Sequence, residues 1–146
     1  MAPLTASPLP DSRVRLARWV LNSPAELGRL RHGVHYALTG RSLPPDAGLD
    51  GVPEKMVMVA SELATNALQH GRPPTIVTLY RAGDSFLLDV ADHDPRLIPE
   101  YAETRPPGAG GLGLKLARDL AVALGWFADD ESPTPLKHVW AQFPAP

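Results

Sequence analysis

The chain contains no cysteine, which removes disulfides, thiolate metal sites and thiol nucleophiles from consideration. It has no run of Lys and Arg, and its formal net charge of −2 argues against an extended basic surface for nucleic acid. No apolar stretch approaches the roughly 18 residues of a membrane span. The first ten residues lack the basic start and apolar centre of a signal peptide. Neither nucleic acid nor membrane is therefore expected as a direct partner, and a cytoplasmic location is the default.

What remains is enough for one globular domain. The 146 residues are 44% hydrophobic and 21% charged, a composition that buries a single core. Of the 17 prolines, all but Pro24 collect at 3–10, 44–53, 73–74, 95–107 and 133–146, where they punctuate the chain rather than mark one unstructured tract.

Residues 1–12 read as a flexible tail, with a single domain over 13–146. Charged and apolar residues partly alternate from Arg13 to Leu21, which predicts a strand. Pro24 in a first turn, with Glu26 near the positive helix end, then predicts a helix to about Thr39. A second helix opens at Val52-Pro53-Glu54 and runs to His70, stopped by Gly71 and Pro73-Pro74. Thr75 to Arg81 and Ser85 to Ala91 read as a hairpin around Ala82-Gly83-Asp84. A long connection from Asp92 to Gly110 carries Pro95, Pro99, Pro106 and Pro107, and loops of that length usually have a function. Gly111 to Leu124 reads as a third helix, Trp126 to Asp129 as a short strand and Leu136 to Phe143 as the last strand. Three helices with a mostly antiparallel sheet predict an α/β (α+β) two-layer sandwich.

Three groups of residues can carry chemistry. Glu62 and Asn66 are four apart and share a face of the second helix, where a carboxylate and an amide oxygen suit magnesium. From spacing alone an ordinary solvated face explains them as well. Asp92 ends a hydrophobic strand, where a carboxylate can accept from an exocyclic amine or a water or simply start a turn. The run Gly108-Ala109-Gly110-Gly111-Leu112-Gly113 leads into a helix, and such amides approach phosphates closely. It formally matches a dinucleotide fingerprint, with Asp129 and Asp130 roughly 20 residues on. Thr104-Arg105-Pro106-Pro107 stands where that fold needs a strand, and too little chain follows for its repeated units. A Gly-Lys-Ser/Thr phosphate loop is absent.

The order of these groups is more specific than any one of them. A helix bearing E-x-x-x-N, a hairpin ending in Asp, a long loop and a glycine-rich helix start together resemble the GHKL (Bergerat-fold) ATPases. The phrase S-E-L-A-T-N-A-L-Q-H-G resembles most the stand-alone anti-sigma factor serine/threonine kinases, and the resemblance spans roughly residues 13–143.

The resemblance implies ATP and magnesium as ligands. Asn66 would hold the metal, and Glu62 would be the general base toward a serine hydroxyl. Asp92 would bind the adenine amino group, and Gly108, Gly110, Gly111, Leu112 and Gly113 would surround the phosphates. Residues 93–110 would form a lid, with Arg105 reaching the terminal phosphate. A sigma factor and an antagonist protein would be the partners, with the strand at 13–21 and the first helix as candidate surfaces for these or for a homodimer. The chain departs from the family pattern at Asp92-His93-Asp94-Pro95, where glycines are usual, and in its proline-rich lid. It also has His138 where a Thr often precedes the Val-Trp pair, which predicts an altered hydrogen bond near the adenine. His32 and His35 read as surface or interface residues without a carboxylate nearby, and His70 as a helix end.

Overall fold

The computed structural model of the chain describes residues 6–45, 48, 51–93, 112–129 and 135–145. Five strands, β1 (Val14–Leu21), β2 (Thr75–Ala82), β3 (Ser85–Asp92), β4 (Ala123–Asp129) and β5 (Leu136–Pro144), form one sheet in the order β1-β2-β3-β5-β4. Every pairing between these strands is antiparallel. Three helices, α1 (Leu27–Thr39), α2 (Val52–His70) and α3 (Leu112–Leu120), complete the fold. No helix among the described residues is long and apolar enough to cross a membrane.

Strand periodicity decides which face the helices cover. Phe86, Leu88 and Val90 of β3 and Val139, Ala141 and Phe143 of β5 join one buried cluster with Val77 and Leu79 of β2. The same cluster takes Leu30 and Val34 from α1, Met56, Val59, Ala60 and Leu63 from α2, and Ala117 from α3. All three helices thus lie on one face of the sheet, which is the expected two-layer sandwich.

Local signals set the helix ends. A 3-10 turn at Pro24–Glu26 precedes α1, and Glu26 accepts from the Asn22 amide at 2.9 Å while pairing with Arg29 at 2.7 Å. The β2–β3 hairpin turns at Gly83, whose φ of 59° is the left-handed conformation that glycine reaches without strain.

Three expectations need correction. The third helix stops at Leu120, and β4 begins at Ala123 rather than Trp126. The run A-V-A-L is compatible with either state, and the sheet wins: Val122 N–H donates to Gln142 O at 2.8 Å, and Ala123 and Leu124 continue the ladder opposite Gln142 and Ala141. His35 is buried, at 5% exposure, with its Nδ1 bonded to Arg41 O at 2.9 Å. Packing of α1 on α2 also brings Glu54 to 3.9 Å from its Nε2, a carboxylate distant in sequence. The third concerns residues 6–10, assigned by composition to a tail. Ser7 N–H donates to Trp126 O at 2.8 Å, Trp140 Nε1 donates to Ser7 O at 2.9 Å, and Leu9 is buried against Leu87 and Trp140. This stretch covers part of the face that carries no helix.

Candidate functional site

The site is laid out along α2. Its start is fixed by Pro53 in the first turn and its buried stripe by Met56, Val59, Ala60, Leu63 and Ala67. Glu62 and Asn66 are both half-buried, on the flank of that stripe. Glu62 lines a cleft of about 310 Å3 together with Lys115, Leu116 and Asp119 of α3. The cleft therefore runs between α2 and the middle and last turns of α3 (Leu112–Leu120).

The other end of α2 meets Asp92. Gly71 ends the helix, with its N–H donating to Ala67 O at 2.9 Å. A Cβ on Gly71 would collide with the Asp92 carboxylate, so this close approach requires glycine. From Glu62 to Gly71 the helix rises about 13 Å, at roughly 1.5 Å per residue. The cleft beside Glu62 and the Asp92 carboxylate beside Gly71 thus lie along one helix, with Asn66 between them.

Asp92 is 2% exposed and lies across the ladder from Lys137, whose Nζ is 3.2 Å from Asp92 Oδ2. In the same row, on the other side of Asp92, sits Thr75: it precedes Ile76, the partner of Ala91. Thr75 is fully buried and its Oγ1 has no hydrogen-bond partner among the described residues. His93 ties the end of β3 to the turn after α2, its N–H donating to Arg72 O and its Nδ1 to Pro74 O, both at 3.1 Å. His93 thus braces the end of β3 beside Asp92.

Counting back from the Val-Trp pair points to an altered hydrogen bond near the adenine at His138 and passes over Lys137. The register corrects this: Val139, Ala141 and Phe143 face the helices, so Lys137 does too and His138 does not. His138 Nδ1 instead donates to Asp89 Oδ2 at 2.8 Å on the opposite face, where its ring stacks on Phe127 with centroids 4.3 Å apart. Strict alternation counted back from Phe143 would have found Lys137.

Of the remaining site residues, Arg105, Gly108, Gly110 and Gly111 lie outside the described residues, as does the lid from residue 94 onward. Leu112 and Gly113 form the first positions of α3. The residues described fit a polar ligand such as ATP: an orphaned buried hydroxyl, Thr75, and a buried carboxylate, Asp92, stand in one row where α2 ends, and Glu62 lines a cleft against α3. Magnesium bound between phosphates needs only one or two protein oxygens, and the Asn66 amide can supply one.

Comparison with curated proteins gives no match. Among protein families, that of the histidine kinase-like ATPase domain matches residues 20–134, a stretch that holds α2, the hairpin, Asp92 and α3. By that match over most of its length, the chain belongs to the histidine kinase-like ATPase domain family, whose domain binds ATP.

Proposed function

We propose that the protein is an ATP-dependent regulator of the anti-sigma kinase kind, which transfers the γ-phosphate to a serine of an antagonist protein. The observation that carries this reading is the placement of Glu62 on the cleft beside α3, with Asn66 one helical turn nearer to Asp92. Phosphoryl transfer asks little of a protein beyond positioning, charge stabilisation and an oriented nucleophile.

In this reading Asp92 holds the base and the start of α3 holds the phosphates. Asn66 gives an oxygen to magnesium, which when bound neutralises charge on the phosphates. Glu62 takes the proton of the incoming serine hydroxyl. The serine oxygen bonds to the γ-phosphorus, the bond from that phosphorus to the bridging oxygen breaks, and ADP leaves. Use of ATP is consistent with a cytoplasmic location.

A second reading, regulation by contact without phosphate transfer, draws on β1. This edge strand exposes Val14 at 68%, with Leu16 and Val20 also exposed, an apolar surface that suits a partner protein or a second copy.

Calorimetric titration with ATP, with and without magnesium, on the wild type and Asn66→Ala tests the site. Transfer of labelled γ-phosphate to candidate antagonist proteins, compared with Glu62→Gln, tests the reaction. Magnesium-dependent binding lost in Asn66→Ala, with transfer lost in Glu62→Gln, is the expected result. Tight binding with no transfer to any antagonist would leave the contact reading standing.

A further inference from the structure

One row of residues crosses the helix-covered face of the sheet where α2 ends: Leu21, Thr75, Asp92 and Lys137. The next row on the same face, Trp19, Val77, Val90 and Val139, is apolar throughout. Three polar side chains in one buried row are costly to fold. The cost has a purpose where a ligand is read there.

Lys137 and Asp92 differ in access. The Lys137 side chain is 10% exposed and that of Asp92 3%, so more of the lysine than of the aspartate reaches the surface. An ammonium has three donors, and Asp92 need engage only one. The pair thus sets a donor and an acceptor side by side, 3.2 Å apart. Adenine carries the complementary pattern on one edge, an exocyclic amine that donates next to N1, which accepts.

We propose that Lys137 reads the purine directly, donating from Nζ to ring nitrogen N1 while Asp92 accepts from the exocyclic amine. This rests on the nucleotide-binding reading above and deepens it, adding a specificity-determining residue to the site. A 6-oxo purine carries N1–H and would set donor against donor.

The test is calorimetry in magnesium with ATP, ITP and 1-deaza-ATP, in which a C–H replaces N1. It uses the wild type, Lys137→Met and Lys137→Gln, each checked by circular dichroism and urea midpoint. The wild type is expected to prefer ATP over both analogues by about tenfold or more, the range of a charge-assisted hydrogen bond. Lys137→Met should lose the preference over 1-deaza-ATP, and Lys137→Gln, which keeps a donor, should regain part of it. Equal wild-type affinity for ATP and 1-deaza-ATP would overturn the proposal without touching nucleotide binding, and this comparison needs no substitution. Tighter ATP binding by Lys137→Met would overturn it too, because the lysine would then be blocking Asp92. Failure of the wild type to bind any of the three would remove the nucleotide reading itself, and the proposal with it.

Discussion

Asp89 and Asp92 are three residues apart on β3, both nearly inaccessible, and they face opposite sides of the sheet. Asp92 meets Lys137 at 3.2 Å under the helices, whereas Asp89 accepts from His138 Nδ1 at 2.8 Å on the other face. Strand alternation separates two buried carboxylates and their basic partners into different environments. One belongs to the candidate site, and the other to a layer formed by Phe127, Trp140 and the segment around Leu9.

The Asp89 pair predicts a pH effect on stability. Burial raises the Asp89 pKa above its ordinary value, and the hydrogen bond and charge of His138 oppose this only in part. A carboxyl with a raised folded pKa binds more protons folded than unfolded. Its contribution to stability is therefore complete below the unfolded pKa and is lost as pH rises through the folded one. Asp89→Asn removes that dependence. Urea unfolding from about pH 4 to about pH 7 should show the wild type losing ground to Asp89→Asn as pH rises. A constant difference between the two across that range would contradict it.

Gly71 predicts a steric effect at the site. Its φ of −97° and ψ of −164° are open to any residue, so only space forbids a side chain. Gly71→Ala should destabilise the fold by about 1–3 kcal/mol, the usual cost of overpacking, and weaken ATP binding by moving Asp92. Gly28→Ala serves as the contrast, because a Cβ there would meet only Arg31 Nη2 at 3.9 Å. In the first turn of α1 it should be neutral or stabilise by about 0.4–1 kcal/mol. Thermal melts and calorimetry on both variants check the pair. Equal behaviour would show that the close approach of Gly71 to Asp92 carries no cost.

These relationships were unevenly legible in the sequence. The helix with Glu62 and Asn66 could be read because Pro53, a 3.6-residue apolar stripe and Gly71 all agree on its limits. The hairpin and the strand-end position of Asp92 followed from Gly83-Asp84 between two β-rich runs. The face of Lys137 did not, because a one-residue shift in motif alignment exchanges the two faces of a strand. The end of α3 was lost in Ala121-Val122-Ala123-Leu124, where only the partner strand decides. Leu9 was hidden among prolines, since a lone apolar residue has no period. Glu54 beside His35 is a tertiary contact that no local pattern encodes.

Leu9 predicts that the start of the chain contributes to folding. It is 5% exposed and packs against Leu87 and Trp140, while Ser7 binds Trp126 and Trp140 through its backbone. Leu9→Ala should cost about 2 kcal/mol, the low end for a buried leucine. Removal of residues 1–10 should cost more and shift tryptophan emission to the red as the Trp140 ring is uncovered. Urea unfolding followed by fluorescence measures both. Unchanged stability on removal would mean that the outer face needs no cover.

The two aspartates together give the sharpest separation of site from scaffold. Asp92→Asn replaces a charged acceptor at the base end and should weaken ATP binding by about tenfold or more. Asp89→Asn lies on the other face and should leave ATP affinity within about twofold of the wild type, since 0.4 kcal/mol or so is the limit of coupling between well-separated positions. Both variants replace a buried carboxylate of β3 by a near-isosteric amide, and comparing only the folded protein separates a loss of recognition from a loss of stability. Calorimetry at one pH, with the folded fraction of each verified by circular dichroism, reads the difference. Equal losses of affinity would show that the strand as a whole, rather than the Asp92 carboxylate, supports the site. Loss in Asp92→Asn alone would place nucleotide recognition on the helix-covered face.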